Sequence, residues 1–183
     1  MGIIYKNAKE SEITLTELML PSHSNFSGKI HGGFILSLMD KAAFSSASKF
    51  SGQYCVTASV NRVDFLNPIE VGELVTLRSM VNYVGNSSMV VGIRVESQNI
   101  QTGEIKHCNS SYFTMIAKNE VGKNMKVPGL IIESHNGLRR FLRSIEHLRM
   151  RNERKEYFSA KNFIPENYQE ILEGYNVKLE LQD

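Results

Sequence analysis

Between Gly33 and Gly52 the apolar residues recur with the period of a helix, and on either side of that stretch they recur with the period of a strand. Phe34, Leu38 and Ala42 fall on one helical row and Ile35, Met39, Ala43 and Ala47 on the next, while Ser37, Lys41, Ser45 and Ser48 make a narrow polar stripe. A helix this apolar has to be covered over most of its circumference. The cover available is β: "EITLTELML" before it, then "YCVTASVNRVDFL", "GELVTLRSMVNYV", "SSMVVGIRVESQN" and "EIKHCNSSYFTMIAK", separated by "NPIEVG", "GN" and "QTG". One strand, one long helix and four more strands contain too few helices for a parallel sheet of βαβ units. The order predicts an α+β fold in which long antiparallel strands curl around a central helix and bury it.

A chain of 183 residues is long enough for one such domain plus an appendage. The appendage starts after Pro128-Gly129, where the composition turns Arg-rich and helical, "NGLRRFLRSIEHLRMRNERKEYF". The expected division is therefore a sheet-and-helix domain over 1–128 and a C-terminal helical extension over 129–183. In the extension Leu138, Phe141, Leu142, Ile145 and Leu148 recur at helical spacing, a seam that needs burial against the domain or a neighbouring subunit. The last stretch, from Ser159 onward, suggests no function.

Composition narrows the classes. A net charge of +2 with 22% charged residues fits neither a dedicated nucleic-acid binder nor a disordered chain. Cys55 and Cys108 are too few for a disulfide framework and too far apart for a metal knuckle, and the five histidines (His23, His31, His107, His135, His147) have no metal-ligand spacing with them. No metal site and no membrane span is expected, and "MGIIYKNAKE" lacks the hydrophobic middle of a signal peptide, so a reducing cytoplasm is the expected location.

The residue out of place is Asp40. It shares a helical row with Leu36 and Phe44, off the Ser37/Lys41 stripe. An ionised carboxylate enclosed there costs several kcal/mol of desolvation unless something compensates it. Asp40 is thus either an enclosed, reactive acid or an acid at the helix margin that reaches solvent or pairs with Lys41 or Arg62. The helix opens on Gly32-Gly33, which let a ligand approach the backbone closely, and its first-turn N–H groups can hold the oxygen of a polarised carbonyl. Gly-Gly also serves simply as a tight turn. Asn25, in the loop before it, offers an amide that both donates and accepts, or acts only as a turn residue.

These residues carry a resemblance. "PSHSNFSGKIHGGFILSLMDKAAFSSASKFSG", followed by "VTASVNRVDFLNPIEVGELVTLRSMVNYVGNSSMVVGIRVES", resembles the hotdog acyl-CoA thioesterases of the bacterial YciA and brain acyl-CoA hydrolase type, over about Ile13 to Pro128. The Asn-x-x-Gly-x-x-His-Gly-Gly start, the Met-Asp of the helix, the Phe-x-x-Pro-x-x-x-Gly-Glu passage and the Gly-x-Ser-Ser hairpin occur in that order. The resemblance implies a hotdog fold and hydrolysis of acyl-CoA to a free fatty acid and coenzyme A. It implies Asn25 and Asp40 as the catalytic pair, supplied by different chains of a dimer, and Gly33 as the helix-start residue whose N–H faces the thioester carbonyl. His31 and Gly32 belong to the same motif, His31 as the residue that shapes the loop, and both are counted among the residues expected to bind coenzyme A. For the coenzyme A phosphates it implies Arg62 and the Asn86-Ser87-Ser88 hairpin. Coenzyme A would be part of the substrate rather than a retained cofactor, and three dimers would make a hexamer. Asn61 departs from the pattern, since relatives often carry Asp there.

Asp40 would serve as general base on water or attack the carbonyl directly, with Asn25 positioning water or carbonyl. Two other classes stay open at this point. A non-catalytic acyl-CoA-sensing regulator would want a helix-turn-helix module, which the arginine-rich helix does not resemble. A hotdog hydratase or dehydratase would pair His31 with Asp40.

Overall fold

The computed structural model describes residues 2, 4–161, 164, 174–178 and 180. Short strand β1 (Tyr5–Asn7) and a 3-10 turn (Ala8–Ser11) lead into β2 (Ile13–Leu18), and a second 3-10 turn (Pro21–His23) precedes helix α1 (Gly32–Ser51). Strands β3 (Tyr54–Val60), β4 (Leu74–Val84), β5 (Ser88–Gln98) and β6 (Ile105–Lys118) follow, then β7 (Gly129–Ile131) and helix α2 (His135–Ala160). Strands β2 to β6 form one antiparallel sheet in the order β2-β4-β5-β6-β3, and α1 packs on all five of them. This is the α+β arrangement that the two periodicities require.

The helix is buried along the rows the sequence marks. Ile35, Leu38, Met39, Ala42, Ala43, Ala47 and Phe50 face Leu77, Val81, Val91, Val95, Phe113 and Met115 in one core. Two serines interrupt it as a matched pair: Ser46 Oγ lies 2.7 Å from Ser79 Oγ, and Ser79 Oγ donates to Ala42 O at 3.1 Å. Each polar atom therefore has a partner inside an apolar layer, where an unpaired one would cost free energy. The helix stops at Gly52, whose φ of +70° turns the chain while its N–H closes on Ser48 O at 2.8 Å.

One detail departs from the expectation. The strand expected over "YCVTASVNRVDFL" ends at Val60, and the residues after it cross the end of the sheet as a loop held by Asn61 N to Tyr112 O and Leu66 N to Cys108 O, both 2.9 Å. The chain forms two compact units, Met1–His147 and Leu148–Asp183. Within the first, β7 pairs in parallel with β1, and the start of α2 brings rings against β4 and β6. There Phe141 meets Tyr83 at 5.4 Å between ring centroids, His147 meets Tyr112 at 4.5 Å, and Ser144 is fully buried. Burial and the neighbouring Arg143 charge push the His147 imidazole below its ordinary value, against the pull of Glu146. The apolar seam read from the sequence is accordingly split: Phe141 packs, whereas Leu138, Leu142 and Ile145 are exposed. In the second unit, Leu148 to Ala160 continues as helix.

Glu73, at the start of β4, is a buried acid with a full set of partners. Lys106 Nζ lies 2.8 Å from Oε1, and the Glu70 N–H donates to Oε2 at 3.0 Å. Burial disfavours the ionised form, but the hydrogen bonds from Lys106, Glu70 N–H and Ser97, together with the Lys106 charge, outweigh it and hold the carboxyl below its ordinary value. A group depressed on folding stabilises above its unfolded value and loses that contribution as pH falls through its folded value. Glu73→Gln should therefore cost about 1–3 kcal/mol in urea unfolding at pH 7. The gap to the parent should close as the pH is taken below about 4.

Candidate functional site

The approach to α1 is organised by Asn25. Its Oδ1 accepts from Ser27 N at 2.9 Å, Ser27 Oγ at 2.7 Å and Lys29 N at 3.2 Å, and the backbone closes the loop through Asn25 N to Lys29 O at 2.7 Å. With the carbonyl oxygen so used, Nδ2 is the group Asn25 presents outward. The loop is pinned from two sides. Lys29 pairs with Glu70 and Ile30 N donates to Ile69 O at 2.9 Å, while the His23 ring stacks on Phe34 at 3.8 Å and His31 N donates to His23 O at 2.9 Å.

The two glycines are each seated under a ring. A Cβ on Gly32 would lie 3.1 Å from Phe65 Cζ, and one on Gly33 would lie 2.8 Å from His31 Cε1 and 2.9 Å from Nδ1. His31 is the N-cap: its Nδ1 accepts from Gly33 N at 3.0 Å, and its carbonyl takes the N–H groups of Phe34 and Ile35 at 3.0 and 3.4 Å. His31 thus shapes the start of the helix. The Gly33 N–H already has an acceptor within the chain.

Asp40 lies one helical row away from the core. Leu36, Asp40 and Phe44 are all exposed in the single chain, so the enclosure considered from sequence is not provided by one chain alone. The two ion pairs considered for it are not formed, because Arg62 Nε pairs with Asp64 at 2.7 Å and no hydrogen bond joins Asp40 to Lys41 among the described residues. Its partner is Thr57, whose Oγ1 donates to Oδ1 at 2.5 Å. Thr57 stands in β3, the edge strand, beside a bulge: Thr57 pairs with Met115 and Ser59 with Thr114, leaving Ala58 unmatched. Bulges re-aim side chains at sheet edges. Sequence reading missed Thr57 because one threonine in a strand carries no signal of a partner 17 residues away.

Within one chain the structure does not join Asn25 to Asp40: the side-chain bonds of the first go to Ser27 and Lys29, that of the second to Thr57. Nor does it gather the phosphate candidates. Ser111 Oγ donates to Arg62 O at 3.3 Å, whereas Ser88, at the end of the Asn86-Ser87-Ser88 hairpin, lies opposite Ile116, five residues along β6 and roughly 17 Å away. Among the described residues no His, Cys, Asp and Glu group is placed to hold a metal ion, and no helix is long and apolar enough to cross a membrane.

A model of the Thioesterase superfamily matches residues 27–104. The chain is 39% identical to Protein VdlD of Helicobacter pylori over 144 residues, 79% of this chain and 82% of that one. It is 32% identical to the uncharacterized acyl-CoA thioester hydrolase YkhA of Bacillus subtilis over 152 residues, 83% and 88% of the two chains. A solved apo-hexameric acyl-CoA thioesterase superposes with a TM-score of 0.81 at 33% identity, covering 84% of this chain and 98% of its own. The acyl-CoA hydrolase of Staphylococcus aureus, solved with butyryl coenzyme A and coenzyme A, superposes with a TM-score of 0.78 at 28% identity, covering 85% and 95%. Alanine variants of an asparagine, an aspartate and a threonine of that enzyme have also been solved. Those three positions are spaced fifteen and then seventeen residues apart, as are Asn25, Asp40 and Thr57 here.

The two roles of Asn25 are separable. Asn25→Ala removes the acceptor that closes the loop and should lose about 1 kcal/mol in urea unfolding. Asn25→Asp keeps the acceptor and removes the donor, so its unfolding midpoint should stay near that of the parent.

Proposed function

Because the chain belongs to the acyl-CoA thioester hydrolases of the Thioesterase superfamily, we propose that it cleaves acyl-CoA to a free fatty acid and coenzyme A by water attack assisted by Asp40 and Asn25. The observation that carries the assignment of Asp40 is its hydrogen bond with Thr57 on an exposed row of α1. Thr57 holds Oδ1, which leaves Oδ2 to take a proton from water. The water oxygen adds to the thioester carbon, the carbonyl oxygen gains charge facing the N–H of Gly33, and Asn25 Nδ2 orients water or carbonyl. Collapse breaks the C–S bond, and the coenzyme A thiolate leaves with the proton that Asp40 had accepted. The matching spacing of three altered residues in the Staphylococcus aureus hydrolase supports giving Asn25, Asp40 and Thr57 one shared task.

Asn25 comes from one chain and Asp40 from its neighbour. The support is that neither reaches the other within a chain, and that apolar side chains stand uncovered beside both: Phe26 is wholly exposed next to Asn25, as are Leu36 and Phe44 in part around Asp40. A dimer covering these surfaces would complete two sites, and three dimers would give the hexamer reported for a solved relative. Arg62 and Asn86-Ser87-Ser88, which one chain keeps apart, would reach the coenzyme A phosphates together only from different chains, with coenzyme A entering and leaving as part of the substrate. A hydratase is disfavoured because His31 spends Nδ1 on Gly33 and makes no hydrogen bond with Asp40.

Thiol release from a panel of acyl-CoAs tests the assignment. Asp40→Ala should lower kcat by at least about 100-fold, and Thr57→Val, which keeps the shape but not the donor, by roughly tenfold. Near-parental turnover in Asp40→Ala would remove that residue from the mechanism.

The shared site has its own test. Chains carrying Asn25→Ala and chains carrying Asp40→Ala, each inactive alone, should regain part of the activity after subunit exchange. Verified mixed oligomers that stay inactive would argue for a site within one chain.

A further inference from the structure

The Gly33 N–H has two claimants. In the structure its acceptor is His31 Nδ1 at 3.0 Å; in the proposed reaction its acceptor is the thioester oxygen. An amide hydrogen makes one well-aligned hydrogen bond, so the two acceptors exclude each other. We infer that His31 is a displaceable cap, a positioning residue that holds the Gly33 N–H in the resting enzyme and gives it up to the substrate. This rests on the assignment of Gly33 in the proposed reaction.

Three features fit a cap made to leave. The ring occupies the space where any side chain at position 33 would put its Cβ, so Gly33 is the seat of the imidazole as much as a means of backbone approach. His31 is exposed, so the ring can swing into solvent without opening a cavity. The choice of residue is the third. Ser, Thr, Asp and Asn are the strong N-caps, and a neutral imidazole is a weaker one.

The exchange discriminates between ground and transition state. A neutral thioester oxygen is a weaker acceptor than the imidazole nitrogen it must displace, so the ring keeps the N–H in the ground state. Once water adds and charge gathers on that oxygen, its hydrogen bond becomes charge-assisted and about twice as strong, and the ring no longer competes. A cap stronger than His would hold the N–H against the substrate as well, and helix stability would then rise at the expense of turnover. Removing the cap leaves the N–H open at the expense of the helix. While the other N–H groups of the first turn are spent on His31 O, that of Gly32 has no acceptor among the described residues. It is the alternative donor for the carbonyl.

The prediction is an inverse order of stability and activity. His31→Asn should melt at a higher temperature than His31→Ala yet fall about three- to tenfold below it in kcat/KM. A merely structural cap would make activity rise with stability along the series Ala, Asn, and that result would overturn the inference, as would equal kcat/KM in the two variants, which would point to Gly32. The second arm does not need turnover. On adding a trifluoromethyl ketone analogue of an acyl-CoA, which hydrates to a tetrahedral adduct resembling the transition state, the His31 Nδ1 nitrogen resonance should shift as it loses its donor, together with the Gly33 amide. An unmoved His31 signal in a saturated complex would defeat displacement even if the enzyme hydrolyses acyl-CoA. Absence of thiol release in the parent would instead count against the proposed function.

Discussion

Nine of the twenty residues of α1 are buried, and that burial is the constraint from which the rest follows. Five strands have to reach around a helix of this length, which is why β4, β5 and β6 are long and why the sheet has free edges at β2 and β3. The sheet covers the rows of Leu38 and Met39 but not the row of Leu36, Asp40 and Phe44. The carboxylate therefore sits where the cover runs out, one side chain away from a dry core and beside the edge strand. From β3 a bulge directs the hydroxyl of Thr57 to it.

The start of the same helix has a different economy. A helix N-terminus buried or half-buried without acceptors is unfavourable, and His31 supplies two, its carbonyl and its ring nitrogen. Having a ring there requires glycine at 33, and the Phe65 ring over the preceding position favours glycine at 32. The Gly-Gly pair that reads from sequence as an invitation to a ligand is thus already filled by two aromatic rings of the chain itself. Only a ligand with something better to offer the backbone would gain by moving one of them.

Much of this was legible in order and period. The helix, its buried rows, its polar stripe and strands β4 to β6 lie where the periodicities put them, because each is long enough for its pattern to repeat. What the sequence hid are contacts between short or distant pieces. Three-residue strands β1 and β7 find each other across more than a hundred residues, and no pattern of three residues announces that. The same holds for Thr57, whose meaning depends on a bulge, and for His31, whose ring acts on a neighbour two residues on. The C-terminal seam shows a further limit: five apolar residues at helical spacing look like one face, yet the helix turns so that Phe141, Ser144 and His147 meet the sheet while Leu138, Leu142 and Ile145 do not. Helical spacing gives a stripe; only the partner's shape says which half of it is covered.

The placing of the proposed catalytic groups at margins also explains why one chain is a poor unit for the reaction. Asn25 sits in an exposed loop beside Phe26, and Asp40 sits on the uncovered row between Leu36 and Phe44. Left in water, the carboxylate is well solvated, and the flanking rings and leucine are unfavourably wet. A second chain laid over these margins would remove the apolar surface from water and take the carboxylate out of bulk solvent in the same step. In the proposed reaction, association and activation are then one event: the apolar contact that drives the chains together supplies the free energy that desolvates the base.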